Sequence, residues 1–336
     1  MYKQFKYSFF LYISIYAANG VLMPYSSLLF KSAGFNEVII GILASIGPAV
    51  SLICQPLWGI ASDRALSKRN VLKITLFLTS ATIWFLLISK GLWGMACALV
   101  IFYIFQCAVL PLADTITLES LEGTSFKFSP IRTAGSIGYA ILSALAGKAL
   151  GGDISYFFLF YSVPIFIGFL VSFKLPDIEG HQQGKERFFI REFLMDKELL
   201  KVYLFAFVLQ ATSGYNYAFL SVYLEELNID MSLVGIGFLV ASFSQYPFLF
   251  FADSLLEKVG IENVLIVSGF FHSLRWLFTF TSMSNSTLLF IQALHGMTYI
   301  VLYYSLAQFV NKRARKELKA TGQMLNWALL NGLSRE

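Results

Sequence analysis

Residues 111–139 read PLADTITLESLEGTSFKFSPIRTAGSIGY, and this stretch decides the fold. One apolar segment carries Asp114 toward a short polar loop, Leu121 to Pro130. A second apolar segment opens with Arg132 and continues Gly135-Ser136-Ile137-Gly138-Tyr139. Two helices at membrane depth, joined by a tight hairpin, would set the acid and the arginine face to face. A charge near mid-bilayer costs roughly 2.5–3.5 kcal/mol on insertion scales, so such charges face a bundle interior and find partners. The stretch therefore predicts a helical hairpin with Asp114 and Arg132 as a mutual pair lining a water-filled cavity.

Outward from this hairpin, apolar runs recur along nearly the whole chain. The 336 residues are 57% hydrophobic and 13% charged, with a mean hydropathy of +0.67. A soluble domain carries about 25% charged residues, which excludes that class. Spans are expected at about 5–30, 37–59, 71–89, 93–118, 130–150, 154–175, 202–226, 231–252, 262–283 and 286–310. Each suits a hydrocarbon core ~30 Å thick. An eleventh begins near Thr321, and the sequence ends within it at Glu336. Phe5 to Phe30 is too long for a signal-peptide core and reads as the first span. The fold class is thus an all-α polytopic membrane protein.

The basic residues orient the chain. Lys3, Lys6, Arg64, Lys68, Arg69, Lys73, Lys127, six bases within 174–201, Lys258 and the run Lys312 to Lys319 fall on one side. Only Lys31, Lys90 and Lys148 fall on the other. By the positive-inside rule the basic side, with the amino terminus, is cytoplasmic. The net charge of +5 is therefore topogenic, and no nucleic-acid partner is implied. Cys54, Cys97 and Cys107 lie within apolar spans without metal-binding spacing, so no metal or other cofactor is expected.

The long connection divides the chain into a six-helix bundle over 1–175, a cytoplasmic linker over 176–201 and a second bundle over 202–336. Phe188, Phe189, Phe193 and Leu194 form an amphipathic patch in the linker that would lie on the membrane surface. The halves echo each other. Gly59-Ile-Ala-Ser-Asp63-Arg64 ends the second span, and Phe251-Ala-Asp253 with Lys258 ends the eighth. Related halves mark transporters that rock about a midplane site.

The stretch Gly59, Asp63, Arg64, Lys68, Arg69 resembles the Gly-x-x-x-Asp-Arg-x-Gly-basic-basic loop of the major facilitator superfamily, with Leu66 where that family has a turn glycine. The resemblance implies a conformational latch that ties helix ends together in the outward-open state. It also implies two pseudo-symmetric six-helix bundles, here about ten and a half of twelve helices. Arg132 follows Asp114 by eighteen positions, with Ser136 and Tyr139 after it. This pattern is similar to the lactose permease and phenylpropionate permease branch. By that likeness Asp114 and Arg132 bind substrate and Tyr139 stacks on it. Arg275-Trp276, His295 and Thr321-Gly322-Gln323 look more like the phenylpropionate group.

Polar stripes add candidates. Tyr12, Tyr16, Asn19 and Met23 share a face of the first span, Gln210, Ser213, Gly214, Tyr217 and Ser221 of the seventh, and Gln292, His295, Tyr299 and Tyr303 of the tenth. Substrate contacts are expected from Asp114, Arg132, Ser136, Tyr139, Asn19, Tyr217, His295 and Tyr299, and proton coupling from Asp114, His295 and Arg275. Gly135, Gly138, Ala144, Gly147 and Gly151 are expected to let the fifth span pack closely on a neighbour.

The expected function is proton-coupled symport of a small organic solute, an aromatic or organic acid or a sugar-like compound. The proton gradient supplies the energy. Two guanidiniums, Arg132 and Arg275, suit a carboxylate. The partners are the solute, protons and membrane lipids, with a monomer in the bacterial inner membrane. An efflux antiporter is the alternative within the class, and an inactive truncated fragment the alternative outside it. A membrane enzyme using His295 and Asp114 lacks any recurring catalytic spacing, so the chain is not expected to be an enzyme.

Overall fold

The computed structural model describes residues 2–150, 153–180, 196–226, 231–281, 284–315 and 318–328, with the side chains of 2–4, 148, 214–226, 231–239, 242 and 285 excepted. Lys148, Gly214, Tyr217 and Ser221 are among these exceptions, and Gly151 and the linker patch Phe188 to Leu194 lie outside the described residues.

Among the described residues the chain is helical throughout, with no strand. The helices are α1 (Tyr2–Ser32), α2 (Glu37–Arg64), α3 (Lys68–Thr82), α4 (Phe85–Ile88), α5 (Gly91–Leu121), α6 (Phe128–Leu150) and α7 (Tyr156–Ser172). After the long connection come α8 (Lys197–Glu226), α9 (Met231–Val259), α10 (Ile261–Thr281), α11 (Asn285–Ala293), α12 (His295–Arg313) and α13 (Lys319–Trp327). Six of the described helical stretches are long and apolar enough to cross a membrane. Large apolar side chains such as Trp93, Phe250 and Phe280 point outward at 81%, 81% and 89% exposure, as helices in lipid require.

The caps follow local chemistry. Asn36 accepts from the Ile39 amide at 3.0 Å and Ser67 from the Asn70 amide at 3.2 Å, each filling an orphan donor of the first turn. Pro111 lies inside α5 and has no N–H, which deprives the Cys107 carbonyl of its helical partner. Gln55 on α2 supplies a donor instead, Nε2 to the Cys107 carbonyl at 2.9 Å. Asp114 follows within one turn of this α2–α5 contact.

Two expected spans are interrupted. The third turns at Ile83 and Trp84 between α3 and α4, and the tenth breaks at Leu294 between α11 and α12. The apolar pattern runs on through both breaks. At the second, Ser244 of α9 accepts from the Gly296 amide at 2.9 Å, satisfying one donor exposed by the break. The second span also continues further than expected, so Gly59 and Asp63 are helical and only Ala65–Ser67 remain between α2 and α3.

α1 packs on α6 and α7, α5 on α2 and α3, and α3 on α7. In the second group, α12 packs on α9 and α10, and α11 on α9. The groups meet where α13 crosses α2 and α5 and where α9 lies along α6. One buried core runs through both, including Tyr12, Phe102, Phe128, Tyr161, Tyr303, Tyr304 and Met324.

α6 lies against α1 because three of its glycines allow it. A Cβ on Gly138 would sit 2.5 Å from the Ile13 carbonyl oxygen, and one on Gly135 2.6 Å from the Tyr16 ring. Gly147 likewise meets Tyr25, which donates to the Ser143 carbonyl at 2.9 Å. The expected packing role of these glycines on the fifth span is what the structure shows.

Candidate functional site

Asp114 on α5 is fully buried, and Arg132 on α6 nearly so at 2% exposure. Both lie toward the basic end of the molecule, where Arg64, Lys68, Lys127 and Lys258 are found. They are not the direct pair expected from the hairpin, and no ion pair joins them among the described residues. Aromatic side chains from other helices stand between.

Asp114 is held by three donors. Tyr12 of α1 donates to Oδ1. Tyr303 of α12 lies 3.0 Å from Oδ1 and 2.8 Å from Oδ2. The Trp327 indole of α13 donates to Oδ2 at 2.9 Å. A buried carboxylate is stabilised when its lone pairs are filled in this way. Two of the three donors come from the second group of helices.

Arg132 is held by ring faces and a hydroxyl. Its guanidinium centre lies 4.2 Å from the Tyr16 ring and 4.9 Å from the Tyr303 ring. Cation–π attraction is strongest when, as here, the cation is desolvated. Nη1 donates to Ser136 Oγ at 3.0 Å, and Ser136 donates onward to Gln245 Oε1 on α9 at 3.3 Å. The Arg132 Nε is buried with no hydrogen-bond partner among the described residues. Tyr16 donates to the Tyr303 hydroxyl at 3.4 Å, so the two tyrosines that flank the guanidinium touch each other. Tyr303 therefore serves both charged groups.

From Tyr303 a column of rings climbs α12. Tyr299 lies 6.3 Å from Tyr303 and nearly parallel, and His295 lies 5.4 Å from Tyr299 at an interplanar angle of 5°. At the far end Arg275 Nη1 of α10 is 3.4 Å from His295 Nδ1. The break at Leu294 makes His295 the first residue of α12. Four-residue spacing on one helix puts His295, Tyr299 and Tyr303 on one face. The structure thus brings together Asp114, Arg132, Ser136, Tyr299, His295 and Arg275 as one chain of contacts.

Asn19 is buried on α1, on the face that carries Tyr12 and Tyr16. Tyr139 lies one turn beyond Ser136, half-buried, with its backbone carbonyl against Gly20 of α1. Tyr12, Tyr303, Gln245 and Trp327 are not among the expected site residues. Tyr12 and Tyr303 lie on stripes that the sequence does reveal. No spacing signal links Trp327 to an acid more than two hundred positions away.

A second constellation joins α2 and α5 to α13 at the basic end. Asp63 at the end of α2 is fully buried. It accepts from the Ala320 amide at 3.2 Å, the Thr321 amide at 2.8 Å and the Thr321 hydroxyl at 2.6 Å. These amides open α13, so the carboxylate faces the positive end of a helix. Gly59 makes room, since a Cβ there would sit 2.8 Å from Thr321 Cα. Lys68 is buried with its Nζ 2.5 Å from Glu119 and 3.7 Å from Asp63. Lys319 of α13 pairs with Glu122.

The other two expected latch residues sit elsewhere. Arg64 is exposed. Arg69 turns to the chain that follows α7, donating to the Leu175 carbonyl at 3.0 Å and to Asp177 at 2.7 Å. There the Lys68 amide also donates to the Ile178 carbonyl at 2.8 Å and the Gly180 amide to the Ala65 carbonyl at 2.9 Å. Asp177 accepts from Ser67 as well. This docked segment fixes the α2–α3 turn in which Leu66 replaces glycine.

The family described as "MFS_1 like family" matches residues 2–336. The chain belongs to that family. It is 26% identical over 330 residues to the maltose permease of Geobacillus stearothermophilus, covering 96% of this chain and 82% of the permease. It is 19% identical over 315 residues to a probable 3-phenylpropionic acid transporter of Escherichia coli K12, covering 91% and 82%. A crystal structure of the nucleoside transporter NupG, in a form with one aspartate changed to alanine, superposes with a TM-score of 0.72 at 19% identity, over 98% of this chain and 88% of that one. The fold is the all-α major facilitator fold, and the chain is an integral membrane transporter.

Proposed function

We propose that this chain is a secondary active transporter that couples movement of a small organic solute to protons by alternating access. The observation that carries the reading is the placement of Asp114 and Arg132. Two buried charges of opposite sign meet side chains from both groups of helices, which is where a rocking carrier holds its cargo. Asp114 takes hydroxyl and N–H donors, Arg132 takes acceptors, and the tyrosine column offers flat apolar faces. A hydroxyl-bearing solute with a ring face suits all three. Arg132 and His295 with Arg275 lie at opposite ends of the column, and this separation supports a second reading, an organic acid spanning it. The names of the relatives, a maltose permease and a probable 3-phenylpropionic acid transporter, match the two readings in turn.

The substrate contacts in this proposal are Asp114, Arg132, Ser136, Tyr299 and His295, with Asn19, Tyr139 and Tyr217 as further lining. Asp114, His295 and Arg275 form the coupling group, because intramembrane ionisable residues mark proton paths. No cofactor beyond the proton gradient and no enzymatic step is invoked. The carrier works as a monomer in the bacterial inner membrane with its basic end and amino terminus in the cytoplasm. The Asp63 latch on α13 then closes the cytoplasmic side.

The test is external pH in a weakly buffered, de-energised suspension of cells expressing the chain. A disaccharide, a nucleoside and an aromatic acid are added in turn. Alkalinisation with one of them, absent in Asp114→Asn cells, is the expected result and names the substrate class. Acidification on addition would identify an efflux antiporter instead.

A further inference from the structure

The donors on Asp114 have a consequence for the transport cycle. Tyr12 and Asp114 belong to the first group of helices, whereas Tyr303 and Trp327 belong to the second. Every bond from Tyr303 or Trp327 to this carboxylate therefore crosses between the groups. It also does so close to the other cross-group contacts of the basic end. Asp63 binds the start of α13, and Trp327 lies about two turns further along the same helix. Ser129 and Ser136 of α6 donate to the Leu249 carbonyl and Gln245 of α9. Asp114 is buried in this arrangement and its lone pairs are occupied, so a ligand cannot reach it while both donors stay in place.

We propose that Trp327 and Tyr303 are gate donors. They hold Asp114 when the basic end is sealed, and they release it when donors of the solute take their place. The acid that recognises the solute is then also the acid that closes the gate, so an occupied site unfastens its own seal. Trp327 acts through Asp114 and is a positioning residue. The substrate part rests on the function proposed above, whereas the gate part does not depend on any solute.

The arrangement explains why α13 carries two unlike contacts. The Asp63 contact grips its first turn through the Ala320 and Thr321 amides and the Thr321 hydroxyl. The Asp114 contact grips it further along, at Trp327, through an indole N–H, which only tryptophan supplies. Severing the second leaves the first intact, so a substitution at Trp327 loosens the seal without detaching the helix.

The test is the separation of spin labels at Lys127→Cys and Lys258→Cys, exposed positions on the α5–α6 loop and at the end of α9. Cys54, Cys97 and Cys107 are first replaced by serine, and the full chain is reconstituted without solute. Trp327→Phe and Tyr303→Phe, which keep a ring and remove the donor, are each expected to lower the ratio of sealed to open populations by about tenfold or more, as loss of a bond to a charged group implies. In an Asp114→Asn background, Trp327→Phe is expected to change the ratio by less than about twofold, since coupled residues are not additive. An unchanged distribution in both single variants overturns the proposal. So does a Trp327→Phe shift that persists in full beside Asp114→Asn, because the indole would then act by packing alone. If Trp327→Phe is not monodisperse, Tyr303→Phe with and without Asp114→Asn decides the same point. A chain that carries no solute but shows these shifts keeps the gate and loses only the proposed function.

Discussion

The guanidinium of Arg132 lies against two tyrosine rings and donates to one serine. A planar, weakly hydrated cation suits that setting, and an ammonium does not. Arg132→Lys keeps the charge and removes both the stacking and the fork. It is expected to lower solute flux at least about tenfold, read as initial uptake at fixed expression. Normal uptake would mean that charge alone suffices. The eighteen-residue spacing of Asp114 and Arg132 is legible in the sequence, as is the need to keep both out of lipid. Their actual partners are not, because Tyr12, Tyr16, Tyr303 and Trp327 come from three other helices. The expected direct pair gives way to ring contacts for a physical reason: the rings fill the space with apolar bulk, their O–H and N–H groups donate to Asp114, and two ring faces take the Arg132 cation.

At the scale of elements, close packing of α1 and α6 places Tyr16 over Arg132. Gly138 has no room for a methyl group beside the Ile13 carbonyl, whereas around Gly41 nothing lies within 4 Å. Gly138→Ala is therefore expected to destabilise the protein by about 1–3 kcal/mol, the usual range for overpacking. Gly41→Ala should be near neutral. Thermal unfolding of the two variants in detergent checks this, and equal melting temperatures would contradict it. The small-residue pattern on the fifth span announces such a contact but not its partner. The breaks at Trp84 and Leu294 escape the sequence altogether, since hydropathy reports burial in lipid and not hydrogen bonding. Just past Leu294 the Gly296 amide donates to the hydroxyl of Ser244, a residue on another helix.

For the whole molecule, the repeat of an acid at the ends of α2 and α9 is legible, yet the two acids do different things. Asp63 binds the start of α13. Asp253 accepts from Tyr304 at 2.5 Å, whose ring stacks on Phe128 at the start of α6, 5.5 Å between centroids. Symmetry of pattern thus becomes asymmetry of contact, because each half closes on different side chains. The end of the long connection is tied down as well. Asp196 accepts from Arg313 at 2.9 Å and from the Glu198 and Leu199 amides at the start of α8. The Arg313 bond, helped by these amides, holds the Asp196 carboxyl below its ordinary range. A depressed folded value means a contribution present above the unfolded value and lost as pH falls through the folded one. Asp196→Asn should therefore lower the melting temperature near neutral pH and cease to matter in acid below the carboxylate range. A difference that is constant with pH would contradict this tie.

The central claim is that Asp114 and Arg132 hold a solute whose movement a proton gradient drives. It is tested most directly by uptake into proteoliposomes, with the solute identified by the pH response and an imposed gradient, acidic outside. Accumulation above equilibrium is predicted for the native chain. Collapse of the gradient with a protonophore should abolish it, and Arg132→Ala should lack it although inserted and monodisperse. Near-normal accumulation by Arg132→Ala, or accumulation indifferent to the protonophore, would contradict the account.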